Sequence, residues 1–415
     1  MDSHSNLDWG IVAVFVTVYL GMFLGGLPRL KLDRSGVALL GAIAVMGLGV
    51  MSTEQAARSV DLPTILLLFS FMVVSAQLRL GGFYRALTLR VAALPLERRG
   101  LLAALIVVAA ILSAVFSNDV VCLAMTPVVA RLCLQRRWNP VPFLIGLACA
   151  ANIGSAATLI GNPQNMLIGS VLHLPFLPYI SQALPPVLMS LLVLWIWLAF
   201  GPQAVSVTAE VPSWSLANPG ADLGDEPPLD RWQTAKGLGI ACALLGVFLF
   251  TDWPRDVAAL VGAGVLLLSR RFHSSSVLGF VDWELLVLFI GLFVVNHAFQ
   301  STGLAAQGVS WLAQQGVQLG ERTPLVLASL GLSNLVSNVP AVMLLLPHLS
   351  TPQAGVTLAL VSTLAGNLLL VGSIANLIVV DLAKRNGIDI EWAAHARIGL
   401  PVTVITTGLV WFWLA

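Results

Sequence analysis

Ser117–Asp119, which reads Ser-Asn-Asp, interrupts a long run of apolar residues and is followed by a Thr-Pro pair at 126–127. A matching interruption, Ser337–Val339, reads Ser-Asn-Val and lies 220 residues further along the chain. Polar residues that break a helix are costly inside a membrane unless they line a cavity or contact other parts of the protein. Two such breaks at equivalent positions are typical of the half-helices that form transport sites. The sequence therefore predicts a membrane transporter.

The composition supports a membrane location. Of the 415 residues, 58% are hydrophobic and only 10% are charged, and the mean hydropathy is +0.90. Apolar runs of the length that a spanning helix needs, about 20 residues, recur from residue 9 to the C-terminus. These features predict an all-α polytopic protein that crosses the cell's inner (cytoplasmic) membrane many times. The net charge of +1 gives no indication of a nucleic-acid partner.

The basic residues determine how the apolar segments are interpreted. Ten segments indicate transmembrane helices, and two others, 100–131 and 323–348, contain the Ser-Asn breaks. If both are re-entrant hairpins, all but three of the 21 lysines and arginines fall on one side, which the positive-inside rule makes cytoplasmic. The hairpin interpretation is therefore favoured. The ten predicted spans are 9–27, 35–51, 62–78, 141–172, 183–200, 237–250, 256–269, 283–299, 354–382 and 398–414.

Similar segments recur at a nearly constant separation. Residues 34–42 resemble 255–263 at an offset of 221, and Gly161–Asn165 resembles Gly372–Asn376 at an offset of 211. Each half then has five transmembrane helices and one re-entrant hairpin, and the charge-derived topology gives the halves opposite orientations. The predicted fold is two inverted repeats with broken transmembrane helices at the site. The predicted boundaries are 1–200 for the first repeat (hairpin 100–131, broken helix 141–172), 201–236 for a cytoplasmic linker, and 237–415 for the second repeat (hairpin 323–348, broken helix 354–382).

Four polar stretches, at the two hairpin tips and in two broken spans, are expected to converge on one cavity. A break exposes backbone amides at the start of the second half-helix, where the dipole favours an anion or a hydroxylated solute. Asparagine and serine side chains add neutral donors and acceptors. The alternative is that these residues only hold helices together, as small polar residues do in membranes. The predicted substrate-binding residues are Ser117, Asn118, Asn162, Asn165, Ser337, Asn338, Ser373 and Asn376.

Asp119 is the one carboxylate predicted to lie deep within the apolar layer, because Asp61, Asp282 and the other acids near spans fall at span ends. A charge at that depth costs ~3 kcal/mol on insertion scales, and desolvation disfavours the ionised form. A carboxylate that gains and loses a proton can couple transport to a proton gradient, so we assign Asp119 to proton coupling. The alternative is a helix N-cap, for which aspartate is suited on local grounds.

At these motifs the chain resembles the ion transporter superfamily, and within it the ArsB-type arsenite permeases and the anion permeases related to the divalent-anion:sodium symporters. The resemblance covers nearly the whole chain and implies a duplicated hairpin fold and secondary active transport. In the divalent-anion symporters both tips usually read Ser-Asn-Thr and help to form sodium sites, whereas Asp119 and Val339 occupy the third positions here. The Asn-Asp pair at 118–119 and the Gly-Ser pair at 372–373 are closer to the arsenite permeases. The Gly-Asn-Pro-Gln-Asn stretch at 161–165 is closer to the general anion permeases.

The predicted function is proton-coupled efflux, by antiport and alternating access, of arsenite or antimonite. No lysine or arginine falls within the predicted cavity, and a multivalent anion would usually need one. A neutral hydroxylated solute such as arsenous acid fits asparagine, serine and backbone groups. The alternative is a sodium- or proton-coupled symporter of small inorganic or dicarboxylate anions, because helix N-termini also bind anions.

An enzymatic activity is not predicted. The three lysines, Lys31, Lys236 and Lys384, lie outside any glycine-rich phosphate-binding motif, so this chain is not expected to hydrolyse ATP. The four cysteines lack metal-ligand spacing, so neither a metal site nor a cofactor is predicted. The coupling ion is predicted to be H⁺, with Na⁺ as the alternative. The expected partners are a small solute and the lipid bilayer; an oligomer is left open, as is the separate ATPase subunit that the arsenite permease resemblance allows.

Overall fold

The described part of the chain is helical throughout. The computed structural model describes residues 2–27, 30–202 and 227–415, and these form α-helices, two short 3₁₀ turns and connecting segments, without a β-strand. The all-α prediction is confirmed. The helices of the first half are α1 (Asp2–Leu24), α2 (Arg34–Gly47), α3 (Thr53–Ser59), α4 (Leu62–Leu80), α5 (Phe83–Ala92), α6 (Arg98–Val115), α7 (Asn118–Gln135), α8 (Pro140–Ser155), α9 (Pro163–Val171) and α10 (Phe176–Phe200).

The second half repeats this order of long and short helices. Within the described residues, each half contributes ten α-helices, and the short, long and broken helices follow one another in the same sequence. The helices of the second half are α11 (Arg231–Phe250), α12 (Arg255–Leu267), α13 (Ser274–Leu278), α14 (Trp283–Ser301), α15 (Leu304–Gln314), α16 (Arg322–Val336), α17 (Asn338–Leu345), α18 (Pro352–Ala365), α19 (Ile374–Arg385) and α20 (Trp392–Trp413).

Six helices of the described chain, namely α4, α6, α10, α11, α14 and α20, are long and apolar enough to cross a membrane. Shorter apolar helices, including α2, α8 and α18, lie beside them. Large aliphatic and aromatic side chains remain exposed on the outside of the helical bundle, for example Phe250 at 83% and Phe412 at 75%. Such exposure is costly in water but suits contact with lipid. The chain is a polytopic membrane protein.

Each segment predicted as a hairpin consists of two helices that meet at a break. Helix α6 ends at Val115 and α7 begins at Asn118, while α16 ends at Val336 and α17 begins at Asn338. The two helices of each pair contact one another. The side of the membrane on which each pair opens stays a prediction.

The two broken spans also lie where glycine and proline predict them. Helix α8 stops at Ser155 and α9 starts at Pro163, which needs no amide hydrogen at a helix start. Between them, a Cβ at Gly161 would lie 2.2 Å from the backbone oxygen of Ser155, so only glycine fits this close approach. In the second half, α18 ends at Ala365 and α19 begins at Ile374.

The helices pack in reciprocal pairs across the two halves. Helix α2 packs against α14, and its second-half equivalent α12 packs against α4. Likewise α6 packs against α8 as α16 does against α18, and α10 packs against its own equivalent, α20. Exchanging each first-half helix for its second-half equivalent therefore reproduces most of the main contacts, although the packing of α5 against α7 has no equally close counterpart in the second half. The opposite membrane orientation of the halves stays a prediction.

The predicted linker, residues 201–236, lies mostly outside the described residues, since 203–226 are not part of the described ranges. Its C-terminal end is helical, because α11 begins at Arg231. The Asp230 carboxylate starts this helix by accepting hydrogen bonds from the backbone amides of Trp232, at 3.1 Å, and Gln233, at 3.2 Å. The second half of the bundle therefore begins a few residues earlier than hydropathy alone indicates.

Candidate functional site

The side-chain amide of Asn152, in α8, joins the first hairpin tip to the second broken helix. Its Oδ1 accepts hydrogen bonds from Asn118 Nδ2 and from Ser373 Oγ, each at 3.0 Å. Its Nδ2 donates to Asn367 Oδ1 at 2.9 Å and to Asn376 Oδ1 at 3.2 Å. Asn152 is 1% exposed, so these bonds replace the water that the amide would otherwise need.

The hydroxyl of Thr363, in α18, plays the equivalent part for the first broken helix. Its Oγ1 accepts hydrogen bonds from Asn162 Nδ2 and Gln164 Nε2, both at 3.2 Å. It also lies 3.4 Å from Asn165 Oδ1. Asn165 is held further by its Nδ2, which donates to the backbone oxygen of Thr158 at 3.0 Å and lies 3.1 Å from the Tyr179 hydroxyl.

These two centres are related by the offset found in the sequence. Thr363 lies 211 residues after Asn152, the separation that also relates Asn376 to Asn165. Asn152 in the first half binds the break of the second half, and Thr363 in the second half binds the break of the first. We call these contacts the amide network. Because the contacts are exchanged, the two broken helices lie against each other in the middle of the bundle.

The structure brings most of the predicted site residues into or next to the amide network. Asn118, Asn162, Asn165, Ser373 and Asn376 are members of it through the hydrogen bonds given above. Asn338, at the second tip, borders it at Gly366, where a Cβ would come within 3.1 Å of Asn338 Nδ2. The other two predicted residues, Ser117 and Ser337, lie at the breaks and form no side-chain cap for the helices that follow.

Four buried polar atoms at the tips and breaks have no hydrogen-bond partner among the described residues. They are Asn118 Oδ1, Asn334 Oδ1, Asn338 Oδ1 and Asn367 Nδ2. In three of these side-chain amides the second polar atom is hydrogen-bonded. For Asn118 and Asn367 the partner is Asn152, and Asn334 Nδ2 donates to the Ala365 backbone oxygen at 3.1 Å. Each unsatisfied buried group costs about 1–3 kcal/mol. These atoms are therefore three acceptors and one donor whose hydrogen-bonding capacity is unused within the described chain.

The helix starts differ in whether a side chain caps them. Asn162 caps α9 by accepting from the Asn165 amide at 2.9 Å, and Ser373 caps α19 by accepting from the Ala375 amide at 3.2 Å. Helices α7 and α17, which start at the hairpin tips, have no such bond. The positive ends of these two helices are therefore not occupied by a side-chain cap.

Asp119 lies outside the amide network. It belongs to the first turn of α7, whose N-cap is Ser117, so its alternative assignment as an N-cap is wrong. It lines a separate cavity of about 60 Å³ together with Ser117, Arg79 and Asp282. Asp282 begins α14, as expected of an acid at a span end, and it lines the same cavity. One expectation needs correction: Arg79 also lines this cavity, where no arginine or lysine was expected. We call this the acid pocket.

The sequence patterns did not single out several residues of the site. Thr363 is absent from the predicted set, although applying the 211-residue offset to Asn152 finds it. Asn334 lies within an otherwise apolar stretch beside the second tip, whereas Asn367 belongs to the predicted polar stretch 366–376 but is not in the predicted set. His395, in α20, is 3% exposed, and its Nε2 lies 3.1 Å from the Asn367 backbone oxygen. No motif in α20 marks this histidine, since only the folded chain brings it to the break.

The family described as Citrate transporter, CitMHS, matches residues 19–365. The chain belongs to this citrate transporter family. Among its relatives, the silicon efflux transporter LSI3 of Oryza sativa subsp. japonica is 31% identical, covering 99% of this chain and 98% of the relative. The putative transporter arsB of Dictyostelium discoideum is 23% identical, covering 91% and 86%.

A solved structure supports the fold of this citrate transporter family member. The YdaH transporter of Alcanivorax borkumensis superposes with a TM-score of 0.58 at 14% identity, covering 99% of this chain and 97% of the other. At that identity the likeness concerns the fold alone. The family match places the chain among the secondary transporters of the ion transporter superfamily, whose substrates are small solutes carried across a lipid bilayer. The role that these relatives imply is transport rather than catalysis.

Proposed function

We propose that this protein exports small neutral metalloid hydroxides, arsenite and antimonite among them, in exchange for protons across the cytoplasmic membrane. The observation that carries the proposal is the set of unsatisfied atoms in and beside the amide network, where three oxygens and one amide nitrogen lack partners within the described chain. A hydroxyl group both donates and accepts a hydrogen bond, so a solute with several hydroxyls can satisfy all four atoms.

The same atoms discriminate against a carboxylate. An ionised carboxylate only accepts hydrogen bonds, so it would leave the three asparagine oxygens unsatisfied and repel them. The hydrogen bonds of the amide network involve no lysine or arginine of the described chain, so an anion would find no cationic side chain there. Arsenous, antimonous and silicic acids share the required chemistry, because each is uncharged near neutral pH and carries several hydroxyl groups.

The names of two relatives support this proposal. The rice relative is called a silicon efflux transporter, which fits both a hydroxylated solute and outward transport. The Dictyostelium relative is called a putative transporter arsB, which fits arsenite. Arsenous and silicic acids are of one chemical class, so a single set of amide contacts can serve either.

The second candidate function is proton- or sodium-coupled symport of a small anion such as citrate or another carboxylate. Its support is the description of the family, Citrate transporter, together with the uncapped starts of α7 and α17. Backbone amides at helix starts bind anions without help from a cationic side chain.

Solute flux into proteoliposomes separates the two candidates. We would measure arsenite, silicate, citrate, succinate and sulfate with the purified protein, under a proton gradient and, separately, a sodium gradient. Arsenite or silicate moving in response to the proton gradient, without citrate movement, is the expected result. Sodium-driven citrate, succinate or sulfate flux without an arsenite or silicate response would overturn the proposal.

A matched pair of variants tests whether the transported solute binds at the amide network. Asn338→Ala removes one of the unsatisfied oxygens and should lower arsenite or silicate flux at least tenfold, the equivalent of about 1.4 kcal/mol. Asn386→Ala is the control, because Asn386 lies at the end of α19, where its Nδ2 donates only to the Leu382 backbone oxygen at 2.8 Å. Equal flux in the two variants would show that the amide network does not bind the solute.

A further inference from the structure

The acid pocket is a second polar site, distinct from the amide network. It lies between the first turn of α7, the C-terminal part of α4 and the segment that begins α14, and it has a volume of about 60 Å³. That volume has room for a few water molecules at most. Its polar lining consists of Ser75, Arg79, Ser117, Asp119 and Asp282.

The acid pocket contains a buried hydroxyl without a hydrogen-bond partner, that of Ser75. Its side chain, in α4, is 2% exposed, and its hydroxyl has no partner among the described residues. A buried hydroxyl in that state costs about 1–3 kcal/mol. Ser70, in the same helix, is equally buried and also unpaired, but it does not line the pocket. Ser75 is therefore placed to contact water or a protonated acid inside the pocket, and Ser70 is its natural control.

The charges in the pocket do not cancel. Two carboxylates, Asp119 and Asp282, share the lining with one guanidinium, that of Arg79. With both acids ionised, the pocket carries one net negative charge, and one added proton neutralises it. Two carboxylates that line one small cavity repel each other, so ionising both costs more than ionising one. The other helices packed against α7, namely α5, α6, α8 and α19, contribute no charged side chain to this lining.

Asp282 also connects the acid pocket to a wider cavity. That cavity, of about 470 Å³, is lined by Asp282 together with Asp33, Arg34 and Glu284. Arg34 belongs to the basic residues that mark the predicted cytoplasmic side. Asp282, which is exposed, lines both cavities, and Asp119 is partly buried, so a proton can pass between the wider cavity and Asp119 by way of Asp282.

We propose that Asp119 and Asp282 form a one-proton site that binds the coupling ion and releases it towards the cytoplasm through the cavity at Arg34. In each binding step an O–H bond forms on a carboxylate oxygen as one breaks on hydronium or water, and release reverses it. The guanidinium of Arg79 neutralises the charge of the carboxylate that stays ionised. The Ser75 hydroxyl accepts a hydrogen bond from the protonated acid or from a water molecule bound to it. This inference rests on the proposed function only in taking the transport to be proton-coupled.

Infrared difference spectroscopy on the purified protein in lipid nanodiscs tests the site without any substrate. Protonated carboxylic acids have a distinct carbonyl stretching band, which we would follow against pH in wild type, Asp119→Asn and Asp282→Asn. Asparagine is as good an N-cap as aspartate, so Asp282→Asn should keep the start of α14. Removing the like charge of Asp282 leaves Asp119 beside Arg79 alone. The pH at half-loss of the band should then fall by on the order of one unit.

The matched controls use the relation between the two halves. Asp61 caps α4 at 2.9 Å from the Thr64 amide, just as Asp282 caps α14 at 2.9 Å from the Leu285 amide. Asp61 does not line the acid pocket, so Asp61→Asn should leave the titration unchanged. Ser75→Ala should shift the titration, whereas Ser70→Ala should not.

Three results would overturn the one-proton site. They are a band that does not titrate in wild type, a band that persists unchanged in Asp119→Asn, and identical titrations for Asp282→Asn and Asp61→Asn. The readout needs no solute, so the two proposals can fail separately. A shifted titration in Asp282→Asn without arsenite or silicate transport would refute the proposed substrate and support the proton site. Transport of arsenite or silicate, with the same titration in Asp282→Asn as in wild type, would refute the proton site and support the proposed substrate.

Discussion

One amide, that of Asn152, holds together segments that are far apart in the sequence. Its oxygen receives hydrogen bonds from the first hairpin tip and from the second break, and its nitrogen donates to two further asparagines. An amide suits this position because it donates and accepts at once without carrying a charge, which would be expensive at this depth. The proposed solute site is thus organised by neutral groups.

Removing this amide should be more damaging than an ordinary buried substitution. Asn152→Ala leaves at least two buried partners unsatisfied, at about 1–3 kcal/mol each, so we expect a clearly lower midpoint of thermal unfolding in detergent and loss of solute flux. Thr363→Ser retains the equivalent hydroxyl and should stay close to wild type, while Thr363→Val should not. Comparable unfolding midpoints for Asn152→Ala and Thr363→Ser would contradict this account of the network.

Asp119→Asn should separate coupling from transport. The amide fills the same space and fits the same turn of α7, so the fold should persist, but the side chain can no longer bind and release a proton. Flux measured against pH should become flat, and exchange of solute across the membrane without a gradient should continue. A pH profile identical to that of wild type would rule out Asp119 as the coupling residue.

Part of the site could be predicted from the sequence. Asparagines at helix breaks stand out in an apolar chain, which is why Asn118, Asn162 and Asn376 were found. Thr363 was missed because threonine is common in apolar helices and its role depends on a partner in the other half. Asp282 was missed for another reason: its position as a helix N-cap gives no sign that the helix starts beside the tip of α7.

At the scale of elements, the two hairpin tips adopt different backbone conformations. Ser117 has φ −56° and ψ 130°, an ordinary extended conformation. Ser337 has φ +78° and ψ 160°, a region in which only glycine is comfortable. A residue held there costs about 1–3 kcal/mol. The second tip therefore stores strain that the first does not.

A pair of glycine substitutions measures this strain. Ser337→Gly should raise the unfolding midpoint, because the relieved strain exceeds the extra chain entropy of glycine, which is about 0.5–1 kcal/mol. Ser117→Gly should lower the midpoint, since there is no strain to relieve. The comparison uses thermal unfolding of both variants in the same detergent, and a lower midpoint for Ser337→Gly than for Ser117→Gly would argue against the strained tip.

The elements themselves were well predicted where the sequence contains a physical stop. Glycine and proline end the half-helices, so the breaks after Ser155 and Ala365 lie inside the segments predicted to be broken. Short polar helices escaped notice because hydropathy does not detect them. Helix α3, for example, begins with a capping box in which Ser52 and Gln55 satisfy each other's backbone amides.

At the scale of the whole molecule, the outer ends of the two half-helices α9 and α19 are held differently. The Arg255 guanidinium donates to the Gly169 backbone oxygen at 3.0 Å, and the Ser170 hydroxyl donates to Asp61 Oδ1 at 2.8 Å. These bonds fasten the end of α9 to α12 and α4. In the second half, Asp381 pairs within its own helix with Arg385 at 2.7 Å.

Arg255→Ala tests whether this fastening matters. The variant should unfold at a lower temperature, because the carbonyl end of α9 loses a charge-assisted bond to a different helix. Arg34→Ala is the matched control at the 221-residue offset, since the Arg34 Nε is buried without a partner in the described chain. Equal unfolding midpoints for the two variants would mean that α9 is held by packing alone.

The opposite orientation of the halves can be tested by labelling. Glu97 and Glu321 precede α6 and α16, and neither side chain caps its helix. In a protein whose four native cysteines are replaced, Glu97→Cys should react with a membrane-impermeant maleimide only from the cytoplasmic side. Glu321→Cys should react only from the opposite side. Labelling of both from one side would exclude an inverted repeat.

The exchange of contacts at Asn152 and Thr363 makes the halves dependent on each other during folding. Each half satisfies only part of its own broken helix, because Asn152 and Thr363 supply further hydrogen bonds to the break of the other half. In lipid, where no water can substitute, a half inserted alone retains open hydrogen-bonding groups until its counterpart arrives. The two halves therefore depend on each other as the subunits of an obligate dimer do, although they belong to one polypeptide. The amide network can form only after the second half has been synthesised.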